Sequence, residues 1–275
     1  MGFPPFTHAI KWLVIINAAI YLLWLLLSGV LPGLAGFVAA VFWLRPEAAV
    51  HGMIWQLASY SFFHDGIFHI LFNMLTLWMF GATLESEWGS RRFVELYFFG
   101  AVGAALTTIA VAYLGTLPLF YFLGMGPGTP TIGASGAIYA VMVVFAMLHG
   151  NQEFMLFPLP FTIRAKYLVA ILIFISLASA LQGSRGQSVA YITHLGGAFF
   201  GWFYVRFLPR QGLGLSERYF ELRNSFYRWK RRRAGRKFEV YMRKHDRSQY
   251  FDEYGNYRGP DREKGNGEHR GPWLQ

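Results

Sequence analysis

Six mostly apolar stretches, each near the length of a bilayer core, constrain this 275-residue chain more than any other feature. About 20 such residues cross the hydrocarbon as a helix. The stretches run over about 10–30, 67–84, 93–113, 134–149, 167–181 and 189–208. The fourth and fifth are short, which suits helices enclosed by neighbours rather than facing lipid along their whole length. Charged residues make up only 15% of the chain, where soluble domains carry roughly a quarter. The expected class is an all-α polytopic membrane protein. The absence of cysteine excludes disulfides, thiolate catalysis and cysteine-based metal clusters.

Basic residues set the expected orientation. Lys11, Arg91, Arg92, Arg164, Lys166, Arg206 and Arg210 collect on one side of a six-span arrangement, against Arg45 and Arg185 on the other. Both termini are therefore expected to be cytoplasmic. Of the 25 Lys and Arg residues, 17 lie from Arg210 onward, which divides the chain into three parts. Residues 1–209 form the membrane domain, 210–247 a basic amphipathic cytoplasmic segment, and 248–275 a disordered tail. Next to membrane spans the counter-charge for such a segment is anionic lipid rather than nucleic acid; docking on the protein's own loops is the alternative. The loop over 31–66 is too apolar for a solvated connection. It is expected to hold short interfacial helices, with Trp43 and Trp55 at headgroup level, or else a seventh or re-entrant span. The loop over 115–131 is uncharged and rich in Gly and Pro, and delivers the chain to Ser135.

Polar groups inside spans are costly and mark functional candidates. His69 and Asn73 lie four apart, on one face of the second helix. Ser135 opens the fourth between Gly133 and Gly136, and His194 begins the sixth on the same side. Taken singly each has a bland reading: a serine among small residues is packing surface, a histidine a hydrogen-bonded structural group, and Gly197 and Gly201 a small-xxx-small contact. Together they describe an activated hydroxyl. A serine needs an adjacent base to become a nucleophile, and the start of a helix offers unpaired N–H groups to a developing oxyanion. No carboxylate is placed to complete a triad; Asp65 is the nearest in sequence.

Three ordered motifs make the resemblance specific. His64-Asp65-Gly66-Ile67-Phe68-His69-Ile70-Leu71-Phe72-Asn73 on the second span, Gly133-Ala134-Ser135-Gly136 on the fourth and His194-Leu195-Gly196-Gly197 with Gly201 on the sixth resemble the bacterial rhomboid intramembrane serine proteases, over about residues 1–209. The resemblance implies a six-helix bundle and a serine endopeptidase that cleaves membrane-protein substrates, single-pass or polytopic, in or near their spans. It implies Ser135 as nucleophile, His194 as general base and then acid, and an oxyanion hole of His69, Asn73 and the Ser135 N–H. Tyr139 would pack on His194, Gly133 would help form the substrate-binding strand, and Glu85 matches a structural position. No cofactor or metal is implied, and the expected location is a bacterial inner membrane, with membrane lipids as partners. Two positions depart from the family: Trp55-Gln56 stands for a Trp-Arg pair, and Tyr60 for an extra histidine of some members. Competing readings are an inactive relative that binds membrane clients and a metal site of His64, His69 and His194. The first lacks support because serine and histidine are both present; the second because His64 and His69 are five apart.

Overall fold

Glu85 ties together the first three long helices in this computed structural model, which describes residues 4–117, 126–155, 162–182, 188–208 and 223–233. Helix α1 (His8–Val30) starts without a capping side chain of its own. The carboxylate of Glu85 replaces one. Glu85 lies near the C-terminal end of α5 (Ile67–Trp88) and is only 3% exposed. It accepts the backbone N–H groups of Ala9 at 2.6 Å and Ile10 at 3.0 Å, and the hydroxyl of Thr7. It also accepts the hydroxyl of Ser90, the first residue of α6 (Ser90–Leu114). Two orphan donors at a helix start are satisfied by one negative charge, where the dipole favours it. Glu85→Ala strands them and is expected to lower stability by about 3 kcal/mol, read as a fall in Tm in detergent. An unchanged Tm would show that this capping is dispensable.

Between α1 and α5 the chain forms α2 (Pro32–Phe42), α3 (Pro46–Val50), α4 (Gln56–Ser59) and one 3-10 turn over Tyr60–Phe62. At 1.5 Å per residue α2 is about 16 Å long, too short to cross the core. Buried Gln56 organises this segment. Its Nε2 donates to the carbonyls of Ala40 and Val41 near the end of α2, and its Oε1 accepts the N–H of Arg45 at 3.0 Å. Trp55 Nε1 donates to Val41 and the Ser59 hydroxyl to Phe42, so the last carbonyls of α2 are met by side chains rather than water. Trp43 packs on Trp24 of α1, ring centroids 5.2 Å apart.

α7 (Ser135–His149) sits at the centre, packed against α5, α6, α8 (Ala165–Gln182) and α9 (Ser188–Phe207). Ile138, Val141, Val144 and Phe145 are buried in one cluster with Leu77, Phe80, Leu84, Phe93 and Leu96. By length and composition α1, α5 and α6 are apolar enough to cross a membrane; α7 and the stretch Ala165–Leu181 are apolar but shorter.

The chain is mostly helical, with one correction to an all-α reading. β1 (Glu153–Met155) and β2 (Thr162–Arg164) pair antiparallel, Glu153 opposite Arg164, between α7 and α8. Phe154 anchors this ladder by stacking on Phe80 at 4.7 Å. Three-residue strands are too short to show a period of two, so the pattern gave no warning.

Residues 214–275 form a separate unit, in which a helix over 223–233 places Arg233 5.3 Å from the Trp229 ring centroid. Arg185, the rest of 210–247, the tail 248–275 and the middle of the loop 115–131 lie outside the described residues.

Candidate active site

The approach to Ser135 is built by the segment between α1 and α5. Leu44 and Thr131 exchange both backbone hydrogen bonds, at 3.1 and 2.8 Å. The N–H of Gly133 donates to the Tyr60 carbonyl at 3.1 Å, and the Tyr60 hydroxyl donates to Ala101 of α6 at 2.8 Å. Gly133 has φ +121°, and a Cβ there would lie 2.8 Å from His69 Nε2. Only glycine suits both the backbone and the close approach. Two residues later α7 begins at Ser135, so its first N–H groups face outward with no partner in the helix.

Ser135 and His194 meet across α7 and α9. His194 Nε2 lies 2.8 Å from Ser135 Oγ. The imidazole stacks flat on Tyr139, one turn along α7, with centroids 4.4 Å apart and planes 8° from parallel. Its other nitrogen, Nδ1, faces the hydroxyl of Ser176 on α8 at 3.4 Å. Glycines set the helix spacing: a Cβ on Gly197 would overlap the Gly136 carbonyl oxygen, and one on Gly201 would sit 2.5 Å from that of Ala140.

His69 contributes its Nε2 edge, against Gly133 and beside the serine. Its Nδ1–H donates to the exposed carboxylate of Asp65 at 2.6 Å. Asn73, one turn on, is buried, and its amide nitrogen has no hydrogen-bond partner among the described residues. His64 packs edge-on to His69, centroids 4.8 Å apart, and is 1% exposed. Burial, then the charge His69 can carry, holds the His64 imidazole down at about 4 from an ordinary 6.5. The unfolded chain therefore binds the extra proton between those values and the folded one does not. Stability is full above about pH 6.5 and falls as pH drops toward 4, by on the order of 2–3 kcal/mol from this group. His64→Phe, which cannot titrate, should flatten Tm against pH in that window. An equally steep dependence in the variant would assign it elsewhere.

A family model described as Rhomboid domain matches residues 51–211, more than half of the chain and all of this site. The chain belongs to the rhomboid family. It is 27% identical over 219 residues to Rhomboid protein 1, mitochondrial, of Saccharomyces cerevisiae, covering 76% of this chain and 58% of that one. It is 29% identical over 194 residues to RHOMBOID-like protein 12, mitochondrial, of Arabidopsis thaliana, covering 68% and 54%. The human Presenilin-associated rhomboid-like protein, mitochondrial, is 26% identical over 202 residues, covering 73% and 48%. The chain thus spans about half the length of the curated relatives it matches. These rhomboid relatives are eukaryotic and mitochondrial by name, which overturns the expectation of a bacterial protein in a bacterial inner membrane.

Sequence reasoning missed some of what surrounds the site in this rhomboid domain. Asp65 stands in the sequence only as the carboxylate nearest to a Ser–His pair, yet it meets His69; their i, i+4 spacing is the available signal. Ser176 offers none, being one of two serines, with Ser179, in an apolar run. Gln56 departs from the family pattern, and its buried bonding cannot be read from the chain.

Proposed function

We propose that this chain is an intramembrane serine endopeptidase acting on membrane-protein substrates through Ser135 and His194. The observation that carries the reading is the 2.8 Å contact between Ser135 Oγ and His194 Nε2, with the imidazole held against Tyr139. The six spans are α1, α5, α6, α7, α8 and α9, with both termini on the side where Lys11, Arg91, Arg92 and Arg206 collect. The mitochondrial names of its relatives favour a mitochondrial membrane. At 15 residues, α7 is about 22 Å long in a core of about 30 Å. Ser135 at its end is then recessed below the bilayer surface, within reach of water from that side.

Ser135 Oγ attacks the substrate carbonyl as His194 Nε2 takes the hydroxyl proton. The oxyanion is met by the Ser135 N–H at the start of α7, by the unpartnered amide of Asn73 and by His69. The tetrahedral adduct collapses, the amine leaves with the proton from His194, and water activated by the same imidazole releases the acyl group from the serine. A helical substrate hydrogen-bonds its own carbonyls, so the scissile stretch must unwind first. Backbone leading into Gly133 gives it an extended edge to lie along.

The test is turnover in proteoliposomes of a fluorogenic single-span peptide carrying Gly or Pro beside a small residue. Cleavage is expected, and slower cleavage of the same peptide with an uninterrupted Leu-Ala helix. Folded protein that cleaves no such peptide and fails to react with fluorophosphonates would overturn the reading.

A further inference from the structure

For Nε2 of His194 to accept a proton, the neutral ring must carry its own hydrogen on Nδ1. Soluble serine proteases enforce this with a buried carboxylate. No carboxylate bonds Nδ1 here among the described residues, and what faces it is the Ser176 hydroxyl at 3.4 Å. Ser176 is 1% exposed, on α8, in an apolar stretch whose other serine is Ser179. A serine inside a helix ordinarily bonds the carbonyl four residues back, which for Ser176 is Leu172. That carbonyl instead lies 3.4 Å from the Tyr139 hydroxyl, and the Tyr139 and Ser176 hydroxyls lie 2.8 Å apart.

These groups form a chain with two possible directions. In one, Tyr139 donates to Ser176, Ser176 donates to Nδ1, and His194 carries its hydrogen on Nε2, where it cannot act as a base. In the other, Nδ1–H donates to Ser176, Ser176 to Tyr139, and Tyr139 to Leu172. A carbonyl can only accept, so the Leu172 end selects the second direction.

We propose that Ser176 is a positioning residue for His194: it accepts the Nδ1 hydrogen and, through Tyr139 and the Leu172 carbonyl, fixes the tautomer in which Nε2 is a base. This rests on the reading of Ser135 and His194 given above. The stack on Tyr139 fixes the ring plane, and Ser176 fixes which nitrogen faces the nucleophile unprotonated. Tyr139 thus serves both parts, through its face and through its hydroxyl. Both outer links are long, so the effect is smaller than the roughly 10⁴-fold cost of neutralising the carboxylate in a soluble triad.

The experiment uses the full chain in detergent, with kcat and KM on the single-span peptide, the rate of fluorophosphonate labelling, Tm, and ¹⁵N NMR of histidine-labelled protein. The His194 signals are identified by their loss in His194→Gln. Ser176→Ala should lower kcat and the labelling rate about tenfold, with KM and Tm unchanged. The His194 spectrum should change from the Nδ1–H form to a mixture of tautomers. Ser176→Thr, which keeps the hydroxyl, should return kcat to within about twofold. Tyr139→Phe keeps the stack but cuts the chain, and should give a several-fold loss even if Ser176→Ala does not fold. Wild-type kcat and an unchanged Nδ1–H signature in Ser176→Ala or Tyr139→Phe would overturn the proposal while leaving the protease reading intact. An inactive, unlabelled wild type would remove the protease reading, and the tautomer spectra would still decide the role of Ser176.

Discussion

Ser135→Ala loses fluorophosphonate labelling altogether and peptide turnover by about 10⁴-fold or more. The alanine has no oxygen to bond to phosphorus or to an acyl group, so no covalent step remains. His194→Ala keeps the hydroxyl but removes the base 2.8 Å from it, and an unassisted serine is a weak nucleophile at neutral pH. Its loss should therefore be nearly as large. The double variant should be no worse than the worse single one, because the two groups act as one unit. Intact mass after labelling reads the first effect, and peptide cleavage the second. Controls on folding are needed for His194→Ala, since removing the imidazole leaves a void against Tyr139. Labelling that persists in Ser135→Ala at the wild-type rate would locate the reactive group elsewhere and end the assignment.

The helical bundle was legible because burial in lipid leaves a strong one-dimensional signal: long apolar runs with bases at their ends. Ser135 and His194 stand out as candidates for the complementary reason, since a few polar residues are conspicuous against such runs. The same logic hides what is uncharged and small. Ser176 carries a hydroxyl that matters only because α8 turns it toward His194, and the sequence holds no record of that rotation. Gln56 shows the reverse case. A departure from the family pattern suggested a lost interaction, whereas its amide caps α2 and holds Arg45 through bonds in both directions. Amide groups offer both donor and acceptor, and which carbonyls they reach is decided by the fold. The apolar character of 31–66 predicts short helices, and short helices form there; that the segment also braces the strand leading to Ser135, through Leu44 and Tyr60, depends on long-range pairing.

Gly197→Ala should be the most damaging methyl group that can be added at a described glycine. The new Cβ would occupy the space of the Gly136 carbonyl oxygen, which is backbone and has no rotamer to escape into. Neither helix is free to retreat. A Cβ on Gly201, one turn along α9, would sit 2.5 Å from the Ala140 carbonyl oxygen, and one on Gly196 2.6 Å from the Thr107 side chain. On α6, a Cβ at Gly100 would sit 2.4 Å from the Ala140 side chain. Overpacking commonly costs 1–3 kcal/mol when side chains can adjust; with backbone on both sides, about 3 kcal/mol or more is expected, with a fall in Tm on the order of 10 °C. Activity should suffer separately from stability. The contact that displaces α9 lies one turn from His194, and a shift of about 1 Å in a reacting group can cost about 10²-fold. Gly29→Ala is the matched control, for a methyl there meets nothing within 4 Å and alanine favours the helix by about 1 kcal/mol. Thermal unfolding and labelling rate at a temperature where both variants are folded separate the two effects. If Gly197→Ala matched Gly29→Ala in both, α7 and α9 would have to be farther apart than the 2.8 Å link between Ser135 and His194 allows.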